Sequence, residues 1–180
     1  FILPNKPASL LKSILPKESG DIEIRFSTSQ AVVIMNDYTL TCRLIEGRYP
    51  NYNMVIPQNN PYSAIIDRLH LLGALKRVLI FSNQSSSLVK LILENNTLTV
   101  SGQDLDFSTS AEEKIACSYS GNTFKIGFNG TYLYDILNNL NCTDVTIELA
   151  DPSRAGVVVP TEQAENENTL MLLVPLMLNE

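Results

Sequence analysis

Apolar residues recur along the chain mostly with a period of two. Ile22, Ile24 and Phe26 alternate with polar neighbours, and so do Val145, Ile147 and Leu149, which predicts half-buried strands. Val32–Met35, Leu40–Leu44, Val78–Phe81, Leu88–Leu93, Leu98–Val100, Val157–Val159 and Leu170–Val174 are further short apolar or alternating runs, separated by Asn-Asp, Asn-Asn, Ser-Gly and Asp-Pro turn signals. Three stretches depart from that period. Pro7–Leu15 spaces Leu10, Leu11, Ile14 and Leu15 as a helix does, with Pro7 suited to a first turn. Tyr62–Lys76 carries Ile65, Ile66, Leu69, Leu72 and Leu75, and Thr131–Leu140 carries Tyr132, Leu133, Ile136, Leu137 and Leu140, each predicting a short amphipathic helix. The pattern is that of an α+β protein, mostly antiparallel sheet.

The same order of elements recurs. A shift of 123 residues lays Phe1 on Phe124, Leu3 on Ile126, Leu10 on Leu133, Ile14 on Leu137 and the run 21–26 on 144–149 without a gap. After a slip in the hairpins, Thr39-Leu40 falls on Thr169-Leu170, and residues 62–119 repeat the helix-then-strands order once more. The chain reads as three copies of a strand, helix, three-strand unit. Two copies make a domain with two helices backed by sheet. The copy over residues 1–56 is then half of a domain, with strand edges left unpaired. Phe1 where a methionine would start also predicts a piece of a longer chain.

Charge changes the picture once the helices are placed. The net charge of −6 argues against a nucleic-acid partner. Yet the helical stretches 5–16, 62–77 and 129–140 hold five basic residues (Lys6, Lys12, Arg68, Lys76, Arg77) and two acidic ones, whereas the remainder holds eight basic against seventeen acidic. A helix-built surface could face phosphates while the sheets repel them; lysine on solvated helix faces would give the same pattern. With 44% hydrophobic and 18% charged residues the chain is expected to fold. No apolar run is long enough to span a bilayer and no signal core begins the chain, so a cytoplasmic location is expected. Cys42, Cys117 and Cys142 have no CxxC spacing and are expected to be buried thiols rather than a metal or disulfide set. The acceptor patterns at Asn83, Asn95, Asn129 and Asn141 fit chance matches in an asparagine-rich chain.

The segment Arg43-Leu-Ile-Glu-Gly-Arg-Tyr-Pro-Asn-Tyr-Asn-Met-Val-Ile-Pro57 resembles the linker between the middle and last domains of bacterial sliding clamps, the beta subunit of DNA polymerase III. Ser82-Asn83, Tyr119-Ser-Gly with Ile126-Gly-Phe-Asn-Gly-Thr-Tyr132 and Asp135-Ile-Leu-Asn, and Leu172-Leu-Val-Pro-Leu-Met-Leu178 are similar at matching distances, so the resemblance covers the whole chain. It implies the DNA-clamp fold, with residues 1–56 as the second half of the middle domain and 57–180 as the C-terminal domain. It further implies a processivity factor without catalytic activity or cofactor. Such a clamp encircles duplex DNA weakly, topologically and without sequence preference, and forms a homodimeric ring when full-length. Polymerase subunits, the clamp loader and repair proteins would bind it through a short peptide motif.

By the same resemblance the peptide pocket falls on Pro50, Met54 and Val55 in the linker, Asn129 and Tyr132 at a helix start, Ser153 and Ala155 in a hairpin, and Leu172, Leu173, Val174, Pro175, Leu176 and Met177 near the C-terminus. Taken singly, Leu172, Val174 and Tyr132 read equally as sheet or helix packing. An apolar trough with an asparagine and a tyrosine hydroxyl suits an extended peptide carrying a leucine or phenylalanine anchor. Met54 stands where the family commonly has a basic residue, Val174 and Leu176 where methionines are common, Ser86 where a bulky residue occurs, and Asn179-Glu180 extends the usual end. Lys6, Lys12, Arg68, Lys76 and Arg77 are the candidates to face DNA. The ring-closing edge is expected at Val78, Ile80, Phe81, Ser82, Glu112 and Glu113.

Other classes leave weaker marks. A β-rich adhesion or scaffold module would use the exposed edges. A hydrolase would need a carboxylate pair such as Asp104/Asp106 or Glu112/Glu113, which alternation on strands explains equally as a solvated face. The one histidine, His70, sits among leucines where a structural role is expected, and no nucleotide-loop, nucleophile-elbow or zinc-helix motif is present.

Overall fold

The structure, a computed structural model, describes residues 1–178. The chain divides into two compact units, Phe1–Tyr52 and the residues from Asn53 onwards.

The first unit holds helix α1 (Asn5–Ile14) and a meander of β1 (Glu23–Phe26), β2 (Gln30–Ile34) and β3 (Thr39–Arg43) in the order β1-β2-β3. Pro4 enters α1 in an extended conformation, and Pro7 lies in the first turn, where no helical N–H partner is lost. Leu11 packs with Val33 and Met35, flanked by half-buried Leu3, Ile14, Leu15 and Leu40. Leu10, assigned to the same apolar face, is exposed instead. A single bridge, Ile2 to Ile45, takes the place of a first strand.

The second unit contains β4 (Tyr62–Asp67), α2 (Arg68–Val78), β5 (Leu88–Glu94), β6 (Thr97–Asp104) and β7 (Thr109–Ala116), then β8 (Phe124–Asn129), α3 (Gly130–Asn139), β9 (Asp144–Leu149), β10 (Gly156–Pro160), β11 (Met171–Leu173) and β12 (Pro175–Leu176). Its two sheets run β11-β10-β9-β4 and β12-β8-β5-β6-β7. The first strand of each repeat pairs with the other repeat: β4 with β9, and β8 with β5, both antiparallel. That exchange interlocks the two copies around one core, and α2 packs on α3 and against β6 and β7.

Residues 62–67, expected to be helical, form β4. Ala64 and Ile66 are buried while Ile65 is exposed, so the Ile-Ile pair follows the two-residue period natural to β-branched side chains. The helix begins only where the Asp67 carboxylate accepts the His70 N–H at 2.7 Å. The buried face of α2 is accordingly Leu71, Ala74, Leu75 and Val78, and Leu69 is exposed. Val78–Phe81, expected as a strand, is the end of α2 followed by a 3-10 turn over Leu79–Phe81. The β7 strand was hidden by its charges: Glu112, Glu113 and Lys114 occupy a sheet edge. Asn95 and Asn96, both at positive φ (48° and 59°), make the tight turn into β6, a conformation asparagine tolerates. Cys42, Cys117 and Cys142 are half-buried rather than buried, and lack of water around Cys117 and Cys142 raises their thiol pKa values.

Candidate functional site

The C-terminal segment passes from one sheet to the other: β11 pairs with β10, and β12 pairs with β8 through Pro175–Phe128 and Leu176–Gly127. Val174 lies at the crossing, 69% exposed, while Leu173 beside it is buried. Opposite stands the start of α3. Asn129 ends β8 and caps the helix, its Oδ1 accepting the Tyr132 N–H at 3.1 Å and its Nδ2 donating to the Ser86 carbonyl at 3.0 Å. The loop carrying Ser85 and Ser86 is held by Asn83, whose Oδ1 accepts both backbone N–H groups at 3.1 and 3.2 Å. Gly130 is required here, since a Cβ would lie 2.7 Å from Val89 Cγ1 and 2.8 Å from Leu79 Cδ2.

Between these elements runs a groove of about 640 Å³, lined by Ser85, Ser86, Asn129, Tyr132, Asp135, Ile136 and Leu172–Leu176. It is apolar along the C-terminal segment and polar where Asn129, the serines and Asp135 meet it, the composition expected of a trough that takes an extended peptide. Tyr132 stands 62% exposed on its rim. Asp135 and Ile136 were not singled out as lining residues, although they follow Tyr132 by three and four positions and so share its helix face.

A second depression of about 870 Å³ adjoins the groove at Leu176, lined among others by Tyr62, Phe124, Ser153 and Met177. Ser153 and Met177, assigned to the peptide pocket, therefore lie in this neighbouring hollow. The Ser153 hydroxyl and N–H bond the Asp151 carboxylate, and these hydrogen bonds lower the Asp151 pKa. Ala155 lies in the β9–β10 connection and lines neither depression. Met54 and Val55 are exposed and line neither, and Pro50 belongs to the first unit.

The basic candidates separate by environment. Lys6 and Lys12 lie on α1 and Lys76 on α2. Arg68 is an internal fastening instead: its Nε donates to the Cys142 carbonyl at 2.7 Å and its Nη1 to the Leu137 carbonyl at 3.0 Å, closing the C-terminal end of α3. Arg77 grips Glu113 of β7 with two bonds, Nε–Oε1 at 2.5 Å and Nη2–Oε2 at 2.7 Å, which holds the Glu113 carboxyl below its ordinary pKa. Both residues of that pair were assigned to separate surfaces, Arg77 to DNA and Glu113 to the ring edge. Of the other edge candidates, Val78 is fully buried in the core and Ser82 is buried with its hydroxyl on the Leu79 carbonyl. Ile80, Phe81 and Glu112 are exposed.

The residues considered for acid-base chemistry have local structural partners. His70 stands exposed rather than packed among leucines. Buried Asp104 accepts the Asp106 and Phe107 N–H groups and shapes the β6–β7 turn. Among the described residues no cluster of histidine, cysteine and carboxylate groups could hold a metal, and no helix is long and apolar enough to cross a membrane.

Interlocked repeats with paired helices over sheets, and a groove where the C-terminal segment changes sheet, define a DNA-clamp module. The profile of the DNA polymerase III beta subunit, C-terminal domain, matches residues 53–174. The beta sliding clamp of Pseudomonas aeruginosa is 27% identical over 177 residues, 98% of this chain and 47% of the relative. A crystal structure of the P. aeruginosa DNA polymerase sliding clamp with ligand superposes with a TM-score of 0.92 at 26% identity, covering 98% of this chain and 47% of that one. The Bartonella birtlesii DnaN sliding clamp bound to griselimycin superposes at 0.89 with 29% identity and the same coverage. The chain belongs to the DNA polymerase III beta subunit family. It spans about half the length of the curated relatives it matches.

Proposed function

We propose that this chain is the C-terminal portion of a DNA polymerase processivity factor, with residues 1–56 as the second half of the middle clamp domain and 57–180 as the last domain. It performs no catalysis. Its work is to hold partner proteins on duplex DNA, in a homodimeric ring when full-length, through a short peptide motif shared by polymerase subunits, clamp loader and repair proteins. The groove between Tyr132 and Leu172–Leu176 carries this reading, because it joins an exposed apolar wall to fixed hydrogen-bonding groups in a chain of clamp fold. Lys6, Lys12 and Lys76 are the cations best placed to meet phosphates, since Arg68 and Arg77 are engaged with other groups. Weak duplex binding that disappears with added salt is the corresponding expectation.

Griselimycin, with which the B. birtlesii clamp was crystallised, provides a probe. Calorimetric titration of this chain with griselimycin and with a polymerase-tail peptide should show binding of each, with each displacing the other. Absence of binding by both would remove the groove as the site.

A further inference from the structure

We propose that Asp135 makes the groove selective for peptides that carry an arginine or lysine close to their apolar anchor, an inference that rests on the reading of the groove as a peptide site. The C-terminal wall, Leu172–Leu176, is wholly apolar, so whatever charge the groove presents comes from the side opposite. There Tyr132, Asp135 and Ile136 share one face of α3, and Asp135 is the single formal charge among the lining residues.

The other polar side chains at that end are already committed. Asn129 spends its amide on the Tyr132 N–H and the Ser86 carbonyl, and the Ser85 and Ser86 hydroxyls turn to Asn83 Oδ1 at 2.6 and 3.5 Å. Asp135 is exposed, and among the described residues its carboxylate has no hydrogen-bond or ion-pair partner; its backbone carbonyl accepts from Asn139 Nδ2 at 2.8 Å. No basic residue lies on α3 itself. On α2, which packs against α3, Arg68 is tied to carbonyls at the C-terminal end of α3, Arg77 is tied to Glu113, and Lys76 does not line the groove.

In the free protein water solvates this carboxylate. A peptide laid along the C-terminal wall removes part of that water, and only a cation carried by the peptide offsets the loss. A neutral residue at that place leaves the carboxylate unpaired, and an acidic one adds repulsion. Arginine suits it best, because the planar guanidinium can meet both carboxylate oxygens. Residues three apart on a helix have Cβ atoms about 5–6 Å apart, and an extended chain advances about 3.3 Å per residue. The cation therefore belongs within about two residues of the side chain that seats beside Tyr132.

Fluorescence-polarisation titrations test this with short peptides that share one leucine-phenylalanine anchor and place arginine, glutamine or glutamate about two residues to either side of it. The 180-residue chain should bind the arginine peptide about three-fold more tightly than the glutamine peptide and about ten-fold more tightly than the glutamate peptide, an order that added salt compresses. Asp135→Asn should erase the order, and Asp135→Lys should reverse it so that glutamate binds tightest. A reversal cannot come from a variant that merely misfolds. The net charge of −6 also attracts basic peptides, but Asp135→Asn removes only one of those charges. A preference that survives this exchange would belong to the molecule as a whole and overturn the assignment to Asp135. Equal affinity for the three peptides overturns it as well, while leaving the groove standing as the peptide site. Failure of every peptide to bind overturns both the selectivity and the reading of the groove beneath it.

Discussion

Val174 and Tyr132 both line the groove but should fail differently when changed. Val174 is exposed in the free protein, so aspartate there costs little to folding, yet a docked peptide would strip water from a carboxylate with no partner. Val174→Asp is expected to weaken peptide affinity by roughly 2 to 4 kcal/mol. Tyr132→Ala removes packing and one hydroxyl, for about 1 to 2 kcal/mol. Calorimetry on the two folded variants checks both figures, and unchanged affinity in both would return these residues to ordinary surface. Asn129 differs from either, because its amide caps α3 and secures the Ser86 loop together. Asn129→Ala should lower folding stability by about 1 to 3 kcal/mol, from a lost cap and an unpaired carbonyl, measured by urea unfolding. Asn129→Asp keeps the cap acceptor and should recover part of that loss.

At the scale of elements, the pair joining α2 to β7 gives the pH dependence its sign. Hydrogen bonding from Arg77 lowers the folded-state pKa of Glu113, so its stabilisation is complete above the ordinary glutamate pKa and is lost as pH falls through the lowered value. Both groups are substantially solvated, so the effect is small. Glu113→Gln should lower the melting temperature by about 1–2 °C near neutrality and leave it unchanged in strong acid, where the native glutamate is also neutral. A difference that persisted in acid would point to packing instead. Elements themselves were legible where periodicity and turn chemistry agreed, as in β5, β6, β9 and α3. Residues 62–78 misled because a strand runs into a helix with no loop between them, and Ile65, Ile66 and Leu69 happen to fit helical spacing across the junction. The groove's polar end was legible in Asn129 and Tyr132, through the family pattern. Its separation from Ser153 and Met177 was not, since it depends on Leu176 standing between two hollows, a tertiary fact with no local signature.

At the scale of the whole molecule, the repeats fold into units of very different completeness. In the second unit the exchange of β4 and β8 makes each repeat part of the other's sheet, so neither copy can open without breaking a ladder of the other. Its core draws side chains from both sheets and from α2 and α3. The first unit has one helix over three strands, with Leu11, Val33 and Met35 as its buried cluster and the apolar row of β1 exposed beside it. About fifty residues with so small a core are marginal on their own, and local opening follows where buried apolar contacts are few. Urea should therefore unfold the chain in two steps, the first unit at lower concentration and the second as one cooperative block despite its internal repeat. Hydrogen exchange should show amides of β1–β3 exchanging well ahead of those in β5, β6 and β8. Within the second unit, β9 should be protected alongside β5, because their partners belong to opposite repeats. A single transition with uniform protection across both units would show that the first unit draws stability from more than its own core, and the ranking argued from burial would then be wrong.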